Sequence, residues 1–98
     1  MIIVHDIFVC KPGNASKVAK MFKEWTEAQP QKGTIVMTDM TGQWHRVIMS
    51  STHESLAAYE ENTKKMYADT PENKAMNEKF KDMNEMYVSG SREIYKVW

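Results

Sequence analysis

The stretch Ile2-Ile3-Val4-His5-Asp6-Ile7-Phe8-Val9-Cys10 constrains this chain more than any other. It is rich in β-branched and aromatic residues and ends at Lys11-Pro12-Gly13, a fixed φ followed by a permissive glycine, so it reads as a strand closed by a turn. A strand with one wet face alternates apolar and polar residues. Here Ile3, Ile7 and Val9 on one side are matched by Ile2, Val4 and Phe8 on the other, so both faces must be covered. A single carboxylate, Asp6, sits in the middle of this run.

With only 98 residues, the covering has to come from one domain spanning residues 1–98. From Asn14, a favourable N-cap, Val18, Met21, Phe22 and Trp25 recur at i, i+3, i+4, i+7 and predict a helix to about Gln29. Pro30 to Gly33 break it. Thr34 to Asp39 and Trp44 to Met49 then read as a hairpin turned around Thr41-Gly42. Ser51 and Glu54 have capping-box spacing, after which Leu56, Tyr59, Thr63 and Met66 share a helix side. Thr70-Pro71-Glu72 starts another helix with the stripe Met76, Phe80, Met83, Tyr87. After Ser89-Gly90-Ser91, Arg92 to Trp98 reads as a last strand. The order predicts an α+β, ferredoxin-like βαββαβ fold with its second helical region split in two and a four-stranded antiparallel sheet. Helices cover one sheet face. A second copy of the sheet is the simplest cover for the other, which predicts a homodimer.

Charge and composition exclude several roles. Thirteen basic and thirteen acidic residues cancel, which removes the positive footprint of general nucleic-acid binding. The strand from Gln43 to Ser50 also lacks the glycine-aromatic pattern of an RNA-recognition sheet. No apolar run approaches a membrane span, and the N-terminus has no signal-peptide pattern, so a cytoplasmic location is expected. Asn14-Ala15-Ser16 is then an accidental sequon. His5, His45 and His53 show no ligand spacing beside a single cysteine, so no metal is expected, and separated glycines leave no nucleotide loop and no cofactor. Cys10 reads as a small hydrophobe, although Lys11 beside it could lower its thiol pKa slightly.

The strand ending in Lys11-Pro12-Gly13, the amphipathic helix after it, the helix start across Ser51 to Leu56 and the closing strand Arg92 to Val97 resemble the dimeric α/β-barrel superfamily, particularly its antibiotic-biosynthesis-monooxygenase-like branch. The resemblance spans nearly the whole chain. It implies a dimer whose sheets face each other, with a ligand cleft in each subunit between sheet and helices. It does not fix an activity, because the superfamily holds cofactor-independent quinone-forming oxygenases, haem-degrading enzymes and small domains of other kinds. The haem-degrading pattern fails here: Asp6 stands where that branch has asparagine, Ser50 where it has tryptophan, and no histidine lies within a helix, with Met76 near the ligand position. If Asp6 and Ser50 face the cleft, strand parity puts Val4, Phe8, Trp44, Arg46 and Ile48 on the same side, and His5 and His45 on the other.

An unpaired buried carboxylate is costly, so Asp6 needs a companion, and Arg46 on a neighbouring strand is the expected one. Asp6 and Arg46 are therefore the candidate catalytic pair. Nine methionines are many for this length, and flexible thioethers suit an adaptable apolar cleft. Expected lining residues are Val4, Phe8, Met21, Trp25, Trp44, Ile48, Tyr59, Met66, Met76 and Phe80. Two functions remain open. One is a lipid- or polyketide-like ligand handled by a cofactor-independent monooxygenase. The other is a non-catalytic module for a fatty-acid-like carboxylate, with Arg46 or Arg92 at its polar end.

Overall fold

In the computed structural model, which describes residues 1–29, 33–42 and 44–98, the sequence order is β1 (Ile2–Cys10), α1 (Ala15–Ala28), β2 (Ile35–Thr38), β3 (Arg46–His53), α2 (Leu56–Met66), α3 (Pro71–Lys79), a 3-10 turn (Lys81–Glu85) and β4 (Tyr87–Lys96). The expected helix break at Pro30 and the Gln43 side of the hairpin turn lie outside the described residues. The strands form one antiparallel sheet in the order β2-β3-β1-β4. This is the ferredoxin-like arrangement, with β1, apolar on both sides, paired on both of its edges.

The core follows from the first helix. Val18 and Phe22, the central pair of its stripe, are buried against Cys10 and Val47, with Phe8 and Met49 packed around them. Phe8 meets Phe22 at a ring-centroid distance of 4.9 Å and Tyr87 at 5.1 Å. Cys10 belongs to this core, and burial pushes its thiol pKa up, the reverse of activation by Lys11. Neither α2 nor α3 buries a residue completely. They roof the same sheet face more loosely.

Several element boundaries differ from the sequence expectation, among them the last strand, which runs through Ser89-Gly90-Ser91 instead of starting after it. The third strand starts at Arg46, not Trp44, because His45 has φ 63°, a left-handed conformation that a strand cannot contain. The His45 carbonyl turns back to accept the Cys10 N–H at 2.7 Å, while Trp44 points into solvent, 75% exposed. The same strand runs on through Ser51 to His53, so Ser51 and Glu54 make no capping box. Ser55 caps α2, its hydroxyl accepting the Ala58 N–H at 3.1 Å. Finally, α3 stops at Lys79, and Tyr87 begins β4 instead of continuing the helical stripe. The cap at Thr70, with Pro71 at the first helical position, is as expected, the Thr70 hydroxyl accepting from Asn73 N–H at 3.2 Å.

The two cap assignments are separable by thermal unfolding. Ser55→Ala should cost about 1 kcal/mol and lower the midpoint by roughly 4–8 °C, whereas Glu54→Ala should change stability by less than about 0.5 kcal/mol. The reverse ranking would restore the Ser51–Glu54 box.

Candidate functional site

The pairing of β1 with β3 decides which residues share the helix-covered face. Val4 lies opposite Ser51, Asp6 opposite Met49 and Phe8 opposite Val47. Across the other edge, Asp6 is opposite Arg92 and Val4 opposite Ile94. Side chains directly opposite one another share a face. The covered face therefore carries Val4, Asp6 and Phe8 with Met49, Ser51, His53 and Arg92. Arg46, Ile48 and Ser50 fall on the helix-free face, one residue out of step with the parity expected from the sequence.

This register corrects the expected ion pair. Asp6 is bound by Arg92, whose Nε donates to Asp6 Oδ1 at 2.5 Å, and not by Arg46. The carboxylate raises the Arg92 pKa, first by that hydrogen bond, and so keeps the guanidinium firmly charged. Arg46 lies opposite Val9, far along the strand from Asp6. Its backbone N–H donates to Asp39 Oδ1 at 2.7 Å, and its own Nε is buried without a described partner.

Two adjoining spaces lie between the sheet and its roof. The larger, about 430 Å³, is lined by Phe8, Phe22, Trp25, Met49, Met76 and Phe80, with Tyr67 and Met83 among its other walls. The smaller, about 60 Å³, is lined by Asp6, Arg92, Ser51, His53, Tyr59 and Met66, among others. Trp25, Met49 and Tyr67 line both, so a mostly apolar chamber, with Asn77, Lys81 and Asn84 in its walls, adjoins a polar recess. The expected residues Phe8, Trp25, Met76 and Phe80 line the chamber, and Tyr59 and Met66 line the recess with Asp6. Val4 is on the right face but wholly buried. Met21 lines neither space, Trp44 is out in solvent and Ile48 is on the far face.

Sequence reasoning missed His53, Ser51 and Tyr67 as site residues. His53 is 9% exposed, its Nδ1 lying 3.1 Å from Asn62 Nδ2 and its Nε2 2.9 Å from Ser51 Oγ. Tyr59 closes on the imidazole edge-to-face, with ring centroids 4.9 Å apart. Desolvation lowers the His53 pKa below its ordinary 6.5, against a smaller opposing pull from Asp6. Two signals could have pointed to His53: its i, i+2 spacing from Ser51 in a strand, and its position just before the helix cap. No group of three or more histidine, cysteine or acidic residues among the described residues is arranged to hold a metal ion.

A histidine pKa lowered by folding stabilises the folded state at pH values where the imidazole is neutral in both states. Below about 6.5 the unfolded chain takes up the proton first, so this contribution disappears as pH falls through the lower folded value. The charged groups facing His53 are Asp6 and, beyond it, Arg92. Thermal unfolding between pH 8 and 5 should show the wild type losing stability on acidification more steeply than His53→Gln; parallel curves would contradict the buried neutral imidazole.

No family model and no curated protein matches the sequence. Solved structures do match its fold. A NIPSNAP domain protein from Burkholderia xenovorans superposes with a TM-score of 0.77 at 12% identity, over 100% of this chain and 95% of its own. A NIPSNAP family protein from Agrobacterium tumefaciens gives 0.76 at 18% identity, over 97% and 90%. A protein described as an antibiotic biosynthesis monooxygenase gives 0.66 at 13% identity, over 100% and 99%. With identities this low, the shared property is the chain path: the protein has the ferredoxin-like fold seen in these NIPSNAP domain proteins and in this antibiotic biosynthesis monooxygenase.

Proposed function

We propose that this protein binds an apolar, lipid- or polyketide-like small molecule in the cleft between sheet and helices, its body in the chamber and one polar group in the recess. The observation that carries this reading is a mostly apolar space of about 430 Å³ that shares the walls Trp25, Met49 and Tyr67 with a recess holding Asp6, Arg92, Ser51 and His53. Size and lining match those of small-molecule sites, which are mostly apolar with a few polar groups that fix orientation. Met49, Met76 and Met83 on the chamber wall suit a ligand of irregular outline.

The polar end favours a neutral ligand over a fatty-acid carboxylate. Arg92 already faces the Asp6 carboxylate, so the pair carries no net charge toward a guest. An incoming carboxylate would have to share Arg92 with an existing partner. In the cofactor-independent monooxygenase reading, Asp6 is the base that ionises an enolizable substrate, while Arg92 holds the resulting charge. Asp6→Asn would then abolish turnover and leave the fold intact. In the binding reading, the same variant changes affinity only.

The helix-free face supports a homodimer. Ile3, Ile7 and Val9 share it with Ile48, and β2 adds Ile35 and Met37, which are 58% and 36% exposed in the single chain. His5 packs edge-to-face on Tyr95 within the same face, at 5.4 Å between ring centroids. A contiguous apolar sheet face of this kind is covered most economically by its own copy about a two-fold axis. No helix among the described residues is long and apolar enough to cross a membrane, and a cytoplasmic location is part of the proposal.

Two measurements test these readings. The fluorescence of N-phenyl-1-naphthylamine, a neutral apolar probe, should rise on binding the wild type. Met76→Trp, which fills the chamber, should weaken that binding at least about tenfold while circular dichroism stays unchanged; equal binding would place the guest elsewhere. Sedimentation should give a dimer for the wild type and a monomer for Ile7→Glu, which puts a charge on the helix-free face; a wild-type monomer would remove the dimer.

A further inference from the structure

The recess holds a chain of hydrogen bonds, and the direction in which it runs limits what the ligand can be. It begins at Asn62 on α2. The Asn62 amide is placed with Nδ2 3.1 Å from His53 Nδ1, and in that orientation its N–H donates and Nδ1 is the unprotonated ring nitrogen. The proton of the neutral imidazole is then on Nε2, which donates to Ser51 Oγ at 2.9 Å. Ser51 and His53 are two apart on β3 and so project to the same face. With its oxygen accepting from His53, the Ser51 hydroxyl has its hydrogen left to give. Among the described residues no group accepts it, and the recess that Ser51 lines is where it can be used.

A second donor lines the same recess. Asp6 occupies Nε of Arg92, and the terminal guanidinium nitrogens have no described hydrogen-bond partner. Size then decides what enters. At about 60 Å³ the recess has room for a functional group but not for a ligand body, whereas the adjoining chamber is several times larger. A lone pair on a compact, uncharged group satisfies both donors, and a carbonyl oxygen supplies two lone pairs. A ligand amine or ammonium would meet N–H and O–H groups with its own hydrogens.

We infer that Ser51 and Arg92 form a donor pair for a ketone-type carbonyl oxygen on the cleft ligand, with His53 and Asn62 as positioning residues that hold the Ser51 hydroxyl in its donating orientation. This rests on the cleft being the ligand site and adds the chemical class of the group that enters the recess. Burial of His53 disfavours the imidazolium, in which Nδ1 could no longer accept from Asn62.

The test uses two aromatic probes of similar shape, 2-acetylnaphthalene and 2-ethylnaphthalene, each displacing N-phenyl-1-naphthylamine from the full chain. The wild type should bind the ketone about tenfold more tightly than the hydrocarbon. Ser51→Ala should reduce the ketone's advantage over the hydrocarbon several-fold, the remainder being held by Arg92. Long-range proton–nitrogen NMR of the wild type at pH 8 should show His53 protonated on Nε2, a signature that a role in packing alone would not fix and that needs no variant. Equal affinities for the two probes in the wild type, an undiminished ketone preference in Ser51→Ala, or a His53 proton on Nδ1 would overturn the inference while leaving the cleft reading intact. Failure of both probes to displace the dye would instead overturn the cleft reading, and this inference with it.

Discussion

The pairing of Asp6 with Met49 on one edge of β1 and Arg92 on the other is the constraint on which everything else depends. Side chains alternate with a period of two, so a slip of one residue in either ladder would send a whole strand's contribution to the opposite face. In the observed register, Val47 enters the core beneath α1, Val4 is buried on the same sheet face, and Asp6 meets a cation from the neighbouring strand. Ser51 and His53 then reach the recess together. The β3 segment Val47-Ile48-Met49 has no polar residue to specify a face. The register is chosen by what its alternatives would do, since a slip that took Arg92 from Asp6 would leave the carboxylate without its cation on the helix-covered face.

The hollow under the helices follows from unequal packing. Helix α1 contacts β1, β2 and β3, and buries Val18 and Phe22 completely enough to form a core. Helix α3 carries few apolar residues, and its nearest neighbour in the fold is the 3-10 turn that follows it. An ion pair between Lys79 and Glu24 ties its end to α1. An exposed pair of this kind contributes little to stability and does not draw the helix down onto the sheet. Met76, Phe80 and Met83 reach inward from this segment without closing the space. A core this small also explains why the chamber is lined by flexible thioethers and aromatic rings.

Element order, strand β1, helix α1 and the cap at Thr70 with Pro71 were legible because each rests on local chemistry: an apolar run ended by a turn, a 3.6-residue stripe, a hydroxyl before a proline. The carboxylate site was half legible. Asp6 stands out in a run of isoleucine, valine and phenylalanine, but its partner depends on register, and the hydrophobic pattern of β3 is the same on both faces. Arg46 and Arg92 are therefore equivalent to a reader of the sequence. His45 shows a second limit: nothing in Trp44-His45-Arg46 announces a left-handed residue, yet that one angle shortens the strand and turns Trp44 away from the cleft. Ser51 was read as a cap because Glu54 follows at the right spacing. Ser55 competes with it four residues on, and only the length of the strand decides between them.

The same extension of β3 connects fold to chemistry. Had the helix begun after Ser51, that serine would have spent its oxygen on a backbone N–H and His53 would have lain in the first helical turn. Because the strand continues, Ser51 and His53 share one face two residues apart, and α2 starts late enough for Asn62 and Tyr59 to stand over the imidazole. A buried histidine held at both nitrogens is usually a structural element. What distinguishes this one is that its hydrogen-bond chain ends on a hydroxyl lining a space too small for a ligand yet adjoining a larger, mostly apolar one. The neutral Asp6–Arg92 pair beside it keeps net charge from dominating recognition, so hydrogen-bond direction becomes the feature that discriminates among guests.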